Sequence, residues 1–285
     1  MKAKSLAILA LALFAAFMAT GCAHKSADEG LKIISFNIRY NSWNDIDGEN
    51  RWANRRDAVV RMIREERPAA IGLQEALIDQ LLYLDSCLPQ YRRIGVGRDD
   101  GKEGGEFMAI YYDTTQLELC GSNLWWLSET PEVPTKGWDA ACYRTATEVC
   151  FRDRCSGKRF DYFNTHLDHV GKTARAESTK FIASRIEGDC YDMPAIIVGG
   201  DMNSTIDDTI FNALYNVGLQ DARTLTDSTS NAITYNAFGN GEGSVIDHFF
   251  VKDFEVVSFR TLDGDYGVPY ISDHYPIEIT LRFKQ

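Results

Sequence analysis

Six stretches of this chain run apolar and then stop in polar residues drawn from one small set. They are Ser35-Phe36-Asn37, Gln74-Glu75, Asn164-Thr165-His166-Leu167-Asp168-His169, Gly200-Asp201-Met202-Asn203, Ile246-Asp247-His248 and Ser272-Asp273-His274. Strand ends of a layered β structure gather at its rims, so the pattern calls for a fold in which several ends converge on one cleft. Asp201 and Asn203 are two apart, which sends both side chains the same way on an extended backbone. Gly199 and Gly200, just before them, remove side-chain bulk and allow close backbone approach.

Histidine usage sharpens the pattern. Of the five histidines in the chain, only His24 lies outside these clusters. A single histidine is more often a satisfied core or turn residue than a functional one. Four of them beside aspartates at strand ends point instead to chemistry.

The periodicities supply the frame. Strands are predicted over 31–38, 69–73, 107–112, 117–127, 145–152, 159–167, 195–198, 245–251, 254–262 and 275–283. Helices are predicted over 51–66, where Pro68 stops the run, and over 173–187. Strands with a few interspersed helices predict an α/β (α+β) fold of two packed, mostly antiparallel β-sheets flanked by helices. There is no repeat, low-complexity tract or internal linker, so residues 31–285 are expected to form one domain.

The first residues look like an address. Lys2 and Lys4 precede an apolar run over 6–18, which leads into Ala19-Thr20-Gly21-Cys22. This is the layout of a secretory signal, and a cysteine after small residues resembles a bacterial lipoprotein signal over 1–21. Cleavage would leave Cys22 as the acylated residue and 22–30 as a tether, so the expected place is the bacterial cell envelope, extracytoplasmic and lipid-anchored to a membrane. Export leaves six further cysteines, Cys87, Cys120, Cys142, Cys150, Cys155 and Cys190, as thiols or in up to three disulfides.

Charge narrows the functional classes. The formal net charge is -11, and loss of Lys2 and Lys4 with no acid takes it to -13. That balance excludes a basic protein that coats nucleic acid, and the 45% hydrophobic content excludes a disordered chain. It is compatible with an enzyme that gathers carboxylates around a cation. Asn37, Glu75, Asp201, Asp247 and Asp273 together would put several carboxylates in one site, and these would repel one another unless a divalent cation were shared among them. Oxygen ligands favour Mg²⁺, or Mn²⁺ or Ca²⁺, over Zn²⁺. Metal-assisted phosphoester hydrolysis uses such a set: a carboxylate orients water, a cation and histidine stabilise phosphoryl charge, and an acid protonates the leaving oxygen.

Taken in order, the six clusters resemble the signature of the endonuclease/exonuclease/phosphatase superfamily, and the match spans essentially all of 31–285. The resemblance implies a four-layer sandwich with the site at one rim of the two sheets. It implies Glu75 as the principal metal ligand, with Asn37 and Asp273 completing or supporting the site. It implies Asp201 as the residue that orients or deprotonates water, Asn203 as a contact to the scissile phosphate, and His274 as a phosphate-binding histidine held by Asp247. His166 occupies the position where the deoxyribonuclease and sphingomyelinase branches place a second catalytic histidine.

Around this set, Arg144 is a candidate phosphate clamp, because a guanidinium binds two phosphate oxygens at once. Trp125, Trp126 and Trp138 are candidates to stack on a sugar or base, or to sit in the core. The acidic run 45–50 lacks the spacing of a calcium loop. The expected function is a membrane-tethered, divalent-metal-dependent phosphoesterase, with a small sugar- or inositol-phosphate as substrate and no obligate protein partner. An extracytoplasmic nuclease, a sphingomyelinase-like phosphodiesterase and a catalytically silent surface binding lipoprotein are the alternatives.

Overall fold

The computed structural model describes residues 30–42, 46–188, 195–230 and 232–284. The expected signal, all but the last residue of the tether, Cys22 and Cys190 lie outside the described residues. The first part of the chain supplies β1 (Leu31–Asn37), α1 (Trp52–Glu66), β2 (Ala70–Gln74), α2 (Ile78–Cys87), β3 (Tyr91–Ile94), β4 (Ile110–Asp113) and β5 (Leu117–Trp126). The remainder supplies β6 (Thr145–Asp153), β7 (Arg159–His166), α3 (Lys172–Gly188), β8 (Ala195–Asp201), α4 (Asn212–Asn216), β9 (Gln220–Asp221), β10 (Asp247–Lys252), β11 (Phe254–Thr261) and β12 (Ile277–Phe283).

Two six-stranded sheets result, in the orders β11-β12-β1-β2-β4-β3 and β5-β6-β7-β8-β10-β9. Each is mixed: β1 and β2 run parallel in one, β7 and β8 in the other, and the remaining neighbours are antiparallel. The two-residue side-chain period sorts the core into three layers. On β1, Leu31 and Ile33 face the other sheet, whereas Ile34 and Phe36 face α1 and α2. On β8, Ala195 and Ile197 enter the inter-sheet core while Ile196 and Val198 pack under α3 and α4. Burying each large side chain is worth roughly 1.5–3 kcal/mol, so a one-residue slip that swapped these faces would be heavily penalised. The four-layer order expected from the sequence is the order observed.

No element was expected between residues 74 and 107, where the structure has α2 and β3. The signal for α2 is present in the residues. Leu81 and Leu84 share its buried face, the Gln80 side chain accepts from the Leu77 amide at 3.0 Å, and Pro89 follows its end. Among the described residues no disulfide forms, and no helix is long and apolar enough to cross a membrane.

The parallel pairs explain why the polar clusters meet. β1, β2, β7 and β8 all end at one rim, with Asn37 beside Gln74 and His166 beside Asp201 in register. β10 runs antiparallel to β8 and begins at that rim, which sets Asp247 opposite Asp201. A buried polar brace ties the sheets together just below. Gln74 Nε2 donates to Asn164 Oδ1 at 2.6 Å and to Ser35 Oγ at 3.1 Å, and Asn164 Nδ2 donates to the carbonyls of Leu73 and Ala109.

Candidate active site

Asp201 is the hub. Its Oδ2 accepts from Asn37 Nδ2 at 3.0 Å and lies 3.4 Å from His166 Nε2 and 3.6 Å from His274 Nε2. Its Oδ1 accepts from the Asn203 amide at 3.0 Å. Asn37 Nδ2 also donates to Glu75 Oε1 at 3.1 Å, so this one amide bridges the Glu75 and Asp201 sides of the cleft. Glu75 Oε2 accepts from the Tyr40 amide at 3.3 Å. Arg39 closes that side, with its guanidinium 4.0 Å from Glu75, 3.7 Å from Asp273 and 3.0 Å from Asp47.

Three residues just past the strand ends, Arg39, Glu75 and Asn203, have left-handed backbones at φ 56°, 60° and 47°. Non-glycine residues adopt that region at a cost, and such strain clusters at functional sites. Gly200 is required by its surroundings: at φ 151° a Cβ would lie 1.9 Å from the Thr165 carbonyl oxygen.

The two central histidines sit in opposite fields. Burial opposes a charge on His274, but Asp247, Asp201 and Asp273 outweigh it and raise its pKa. The ring is fixed by Asp247 Oδ2, 2.8 Å from Nδ1. Burial pushes His166 well below the ordinary histidine range, and Arg144, Arg98 and His274 push it further. These fields favour the cationic form of His274 and the neutral form of His166. A split of this kind separates charge stabilisation from proton handling. Burial and the neighbouring Asp247 also raise Asp201, against the pull of His274.

The donor set suits a hard cation. Carboxylate oxygens of Asp201 and Asp247 lie within 4.8 Å of each other and of a nitrogen of His274, so negative charge is crowded beside Glu75 and Asp273. Burial raises Asp273, and Glu75 raises it further although His274 lowers it. Carboxylates crowded in this way are neutralised by a bound divalent ion, and oxygen-rich sets prefer Mg²⁺, Mn²⁺ or Ca²⁺. A second group, Cys142, Asp168 and His169, has similar spacing. There Asp168 already accepts five hydrogen bonds, from the amides of Ala141, Cys142, Val170 and Gly171 and from Arg144 Nε. That carboxylate is an anchor for Arg144 rather than a cation site.

Arg144 is buried against Asp168, at 3.1 Å, and His169 Nδ1, at 2.9 Å. Its Nη1 has no hydrogen-bond partner. Asn203 Nδ2 is 3.0 Å from His166 Nε2 and donates to the Leu167 carbonyl at 2.9 Å, so it orients His166. Every residue singled out in the sequence for catalysis, metal binding or phosphate contact therefore lies at this rim, and the lipidation candidate Cys22 lies outside the described residues.

Two clustered histidines do not reach the centre. His248 follows Asp247 on β10 and so points to the opposite face. There its Nε2 meets the Ser204 carbonyl at 3.0 Å and its ring packs on Phe211. His169 is exposed beside Arg144. Trp125 and Trp126 are structural: their indole N–H groups bond Glu148 Oε2 at 2.8 Å and the Arg98 carbonyl at 2.7 Å.

Sequence reasoning missed Arg55. It is fully buried in α1 and donates to the carbonyls of Ile38, Arg39 and Ile271, fixing the loops that carry Arg39 and Ser272. The available signal was an arginine three residues after Trp52, on the apolar stripe of the helix. The loop around Tyr235 was missed as well. Tyr235 pairs with His274 as an isolated β-bridge.

The model of the Endonuclease/Exonuclease/phosphatase family matches residues 34–274. A mannosyl-6-phosphatase from Bacteroides thetaiotaomicron is 33% identical, with a TM-score of 0.83 over 89% of this chain and 100% of that one. An endonuclease/exonuclease/phosphatase from Bacteroides vulgatus is also 33% identical, with a TM-score of 0.84 over 89% of this chain and 99% of that one. An uncharacterized protein of Acanthamoeba polyphaga mimivirus is 26% identical over 87% of this chain and 99% of its own length.

Proposed function

The chain belongs to the endonuclease/exonuclease/phosphatase family, whose members are phosphoesterases, and from that premise we propose that it hydrolyses the phosphomonoester of a small sugar with the help of a divalent cation. The observation that carries the reading is the convergence on Asp201 of Asn37, His166 and His274, with Glu75 reached through the same Asn37 amide. Similarity over nearly the whole chain to a protein named as a mannosyl-6-phosphatase supports the sugar-phosphate substrate.

In this reading Glu75 and Asp273 hold a hard cation, Mg²⁺ first, with the Asn37 amide beside them. Such an ion supplies Lewis-acid neutralisation of phosphoryl charge. Asp201 holds the attacking water by its carboxylate and takes its proton. Cationic His274, braced by Asp247, stabilises the charge that builds on the phosphoryl oxygens. Neutral His166, oriented by Asn203 and 3.4 Å from Asp201, takes the water's proton from that carboxylate at Nε2 and passes it to the sugar oxygen as its bond to phosphorus breaks. Arg144 offers its unpartnered Nη1 to a phosphate oxygen. We also propose that the protein is exported and held at the cell envelope through an acylated Cys22, on the sequence pattern alone.

The test is hydrolysis of mannose 6-phosphate, p-nitrophenyl phosphate and bis-p-nitrophenyl phosphate with Mg²⁺, Mn²⁺ or Ca²⁺, and again with EDTA. Monoester turnover abolished by EDTA is expected. Preference for the diester would replace the substrate reading with a phosphodiesterase, and silence throughout would favour a binding protein. Labelling of the secreted chain with a fatty-acid probe, lost in Cys22→Ala, tests the anchor.

A further inference from the structure

Tyr235 lies on a loop that no strand or long helix supports, yet the loop is stitched to the catalytic segment at several points. The Tyr275 amide donates to the Thr234 carbonyl at 2.6 Å, and the amides of Asn236 and Ala237 both donate to the Asp273 carbonyl, at 2.7 and 3.1 Å. Asn236 Nδ2 donates to the Ser272 carbonyl at 3.2 Å. Thr234 Oγ1 accepts from the amides of Ile246 and Asp247, at 3.0 and 3.1 Å. Residues 234–237 therefore hold the segments carrying both His274 and its partner Asp247.

The backbone after Tyr235 is strained. Ala237 and Phe238 have φ of 50° and 54°, and neither is glycine. Two consecutive left-handed residues cost free energy that the hydrogen bonds above must offset. The hydrogen bonds on either side set one side chain against the site. The Tyr235 ring lies 5.0 Å from the His274 ring at 58°, and the residue is half-buried.

The Tyr235 hydroxyl bonds no described residue. The ring contact with His274 sets the residue at the edge of the cleft; burial raises its hydroxyl, Asp273, Glu75 and Asp201 raise it further, and Arg39 opposes them. The carboxylates there are already engaged, Asp201 with Asn37 and Asn203, and Glu75 with Asn37 and Tyr40. A phenol is protonated at neutral pH, so the cleft holds a fixed donor without an acceptor.

We propose that the Tyr235 hydroxyl is a substrate contact, donating a hydrogen bond to an oxygen of the phosphoryl group that sits between Glu75, Asp201 and His274. The assignment rests on the phosphoester reading of the same cleft. The ring packs against His274, and the hydroxyl it carries meets the phosphoryl oxygen at the same edge of the cleft.

The test compares wild type with Tyr235→Phe, which keeps the ring and removes only the hydroxyl, and with Tyr235→Ala. Inorganic phosphate is titrated calorimetrically in Mg²⁺ buffer, and kcat/KM is measured on p-nitrophenyl phosphate and mannose 6-phosphate. A hydrogen bond to a charged acceptor predicts phosphate binding weaker by about tenfold to a hundredfold in Tyr235→Phe, with a matching fall in kcat/KM. The melting temperature and the Mg²⁺ midpoint should stay at wild-type values, and Tyr235→Ala should lose more. Tyr235→Phe within twofold of wild type in phosphate affinity would overturn the proposal, leaving the ring as packing for His274. A wild-type chain that binds phosphate but turns over no ester would sink the parent reading, and the phosphate arm would still decide Tyr235. A wild-type chain that binds no phosphate would overturn both.

Discussion

Asp201 and Asp247 face each other across β8 and β10, yet only Asp247 holds His274 by Nδ1, at 2.8 Å. Asp201 stands 3.6 Å from the other ring nitrogen. The two carboxylates therefore grip one imidazole from opposite edges, one to fix it and one to share the cleft with it. Asp247→Asn should lower kcat by about 10²-fold through a misplaced His274. Because the pair acts as a unit, adding His274→Ala to that variant should cost less than about threefold more. Steady-state kinetics on the single and double variants decide this, and additive losses would show that the two residues work independently.

Glu75 and Asp201 should fail in different ways. Glu75→Gln should raise the Mg²⁺ concentration needed for half-maximal activity, with much of kcat recovered at saturation. Asp201→Asn should lose about 10²-fold or more in kcat at every metal concentration, because the group that holds the water is gone. Metal titrations of both variants separate the roles, and an unchanged midpoint in Glu75→Gln would count against its assignment as a ligand.

Asp168 should link acid stability to substrate affinity. Burial alone would raise its carboxyl, but the amides of Gly171, Ala141 and Val170 and the Arg144 side chain pull it below the ordinary range. A folded-state value below the unfolded one means the stabilisation is full above about pH 4 and drains as pH falls through the folded value. Thermal melts of Asp168→Asn should start lower at neutral pH and fall less than wild type on acidification below about pH 4. Freed from its anchor, Arg144 should hold phosphate less well, raising KM by about tenfold. Parallel melting curves for variant and wild type would contradict the linkage.

Gly200 and Gly157 offer a paired control on backbone strain. Both have positive φ, but a Cβ at Gly157 meets nothing within 4 Å, whereas at Gly200 it meets the Thr165 carbonyl at 1.9 Å. Gly157→Ala should cost about 1 kcal/mol. Gly200→Ala must push β7 from β8 beside His166 and Asp201, and should cost more than about 4 kcal/mol or prevent folding. Chemical denaturation measures the difference, and similar values for the two would show that the β7–β8 contact is softer than its geometry.

Much of this was legible in the residues because the relevant signals are local. Short, nearly continuous apolar runs within 31–37 and over 195–198 mark strands buried on both faces, and Gly199-Gly200 ahead of Asp201 announces a close backbone approach. The histidines were legible as a group but not one by one. Asp247 and His248 are neighbours in one motif, and the strand pleat sends the first to the cleft and the second into the core against Phe211. Trp125 and Trp126 were open between stacking and structure until the partners of their indole nitrogens were known.

From its own order of residues, then, this chain determined most of the strands, their layering and the chemical inventory of one rim, because periodicity and turn chemistry act over a few residues. Which members of that inventory meet was decided only in three dimensions. Asn37 bonds Asp201 across 164 positions, the buried Arg55 reaches Ile271 across 216, and Tyr235 settles on His274 through a loop with no periodic signal. Contacts of that span depend on sheet register and on how two sheets pack, and both follow from burial summed over the whole core rather than from any segment alone.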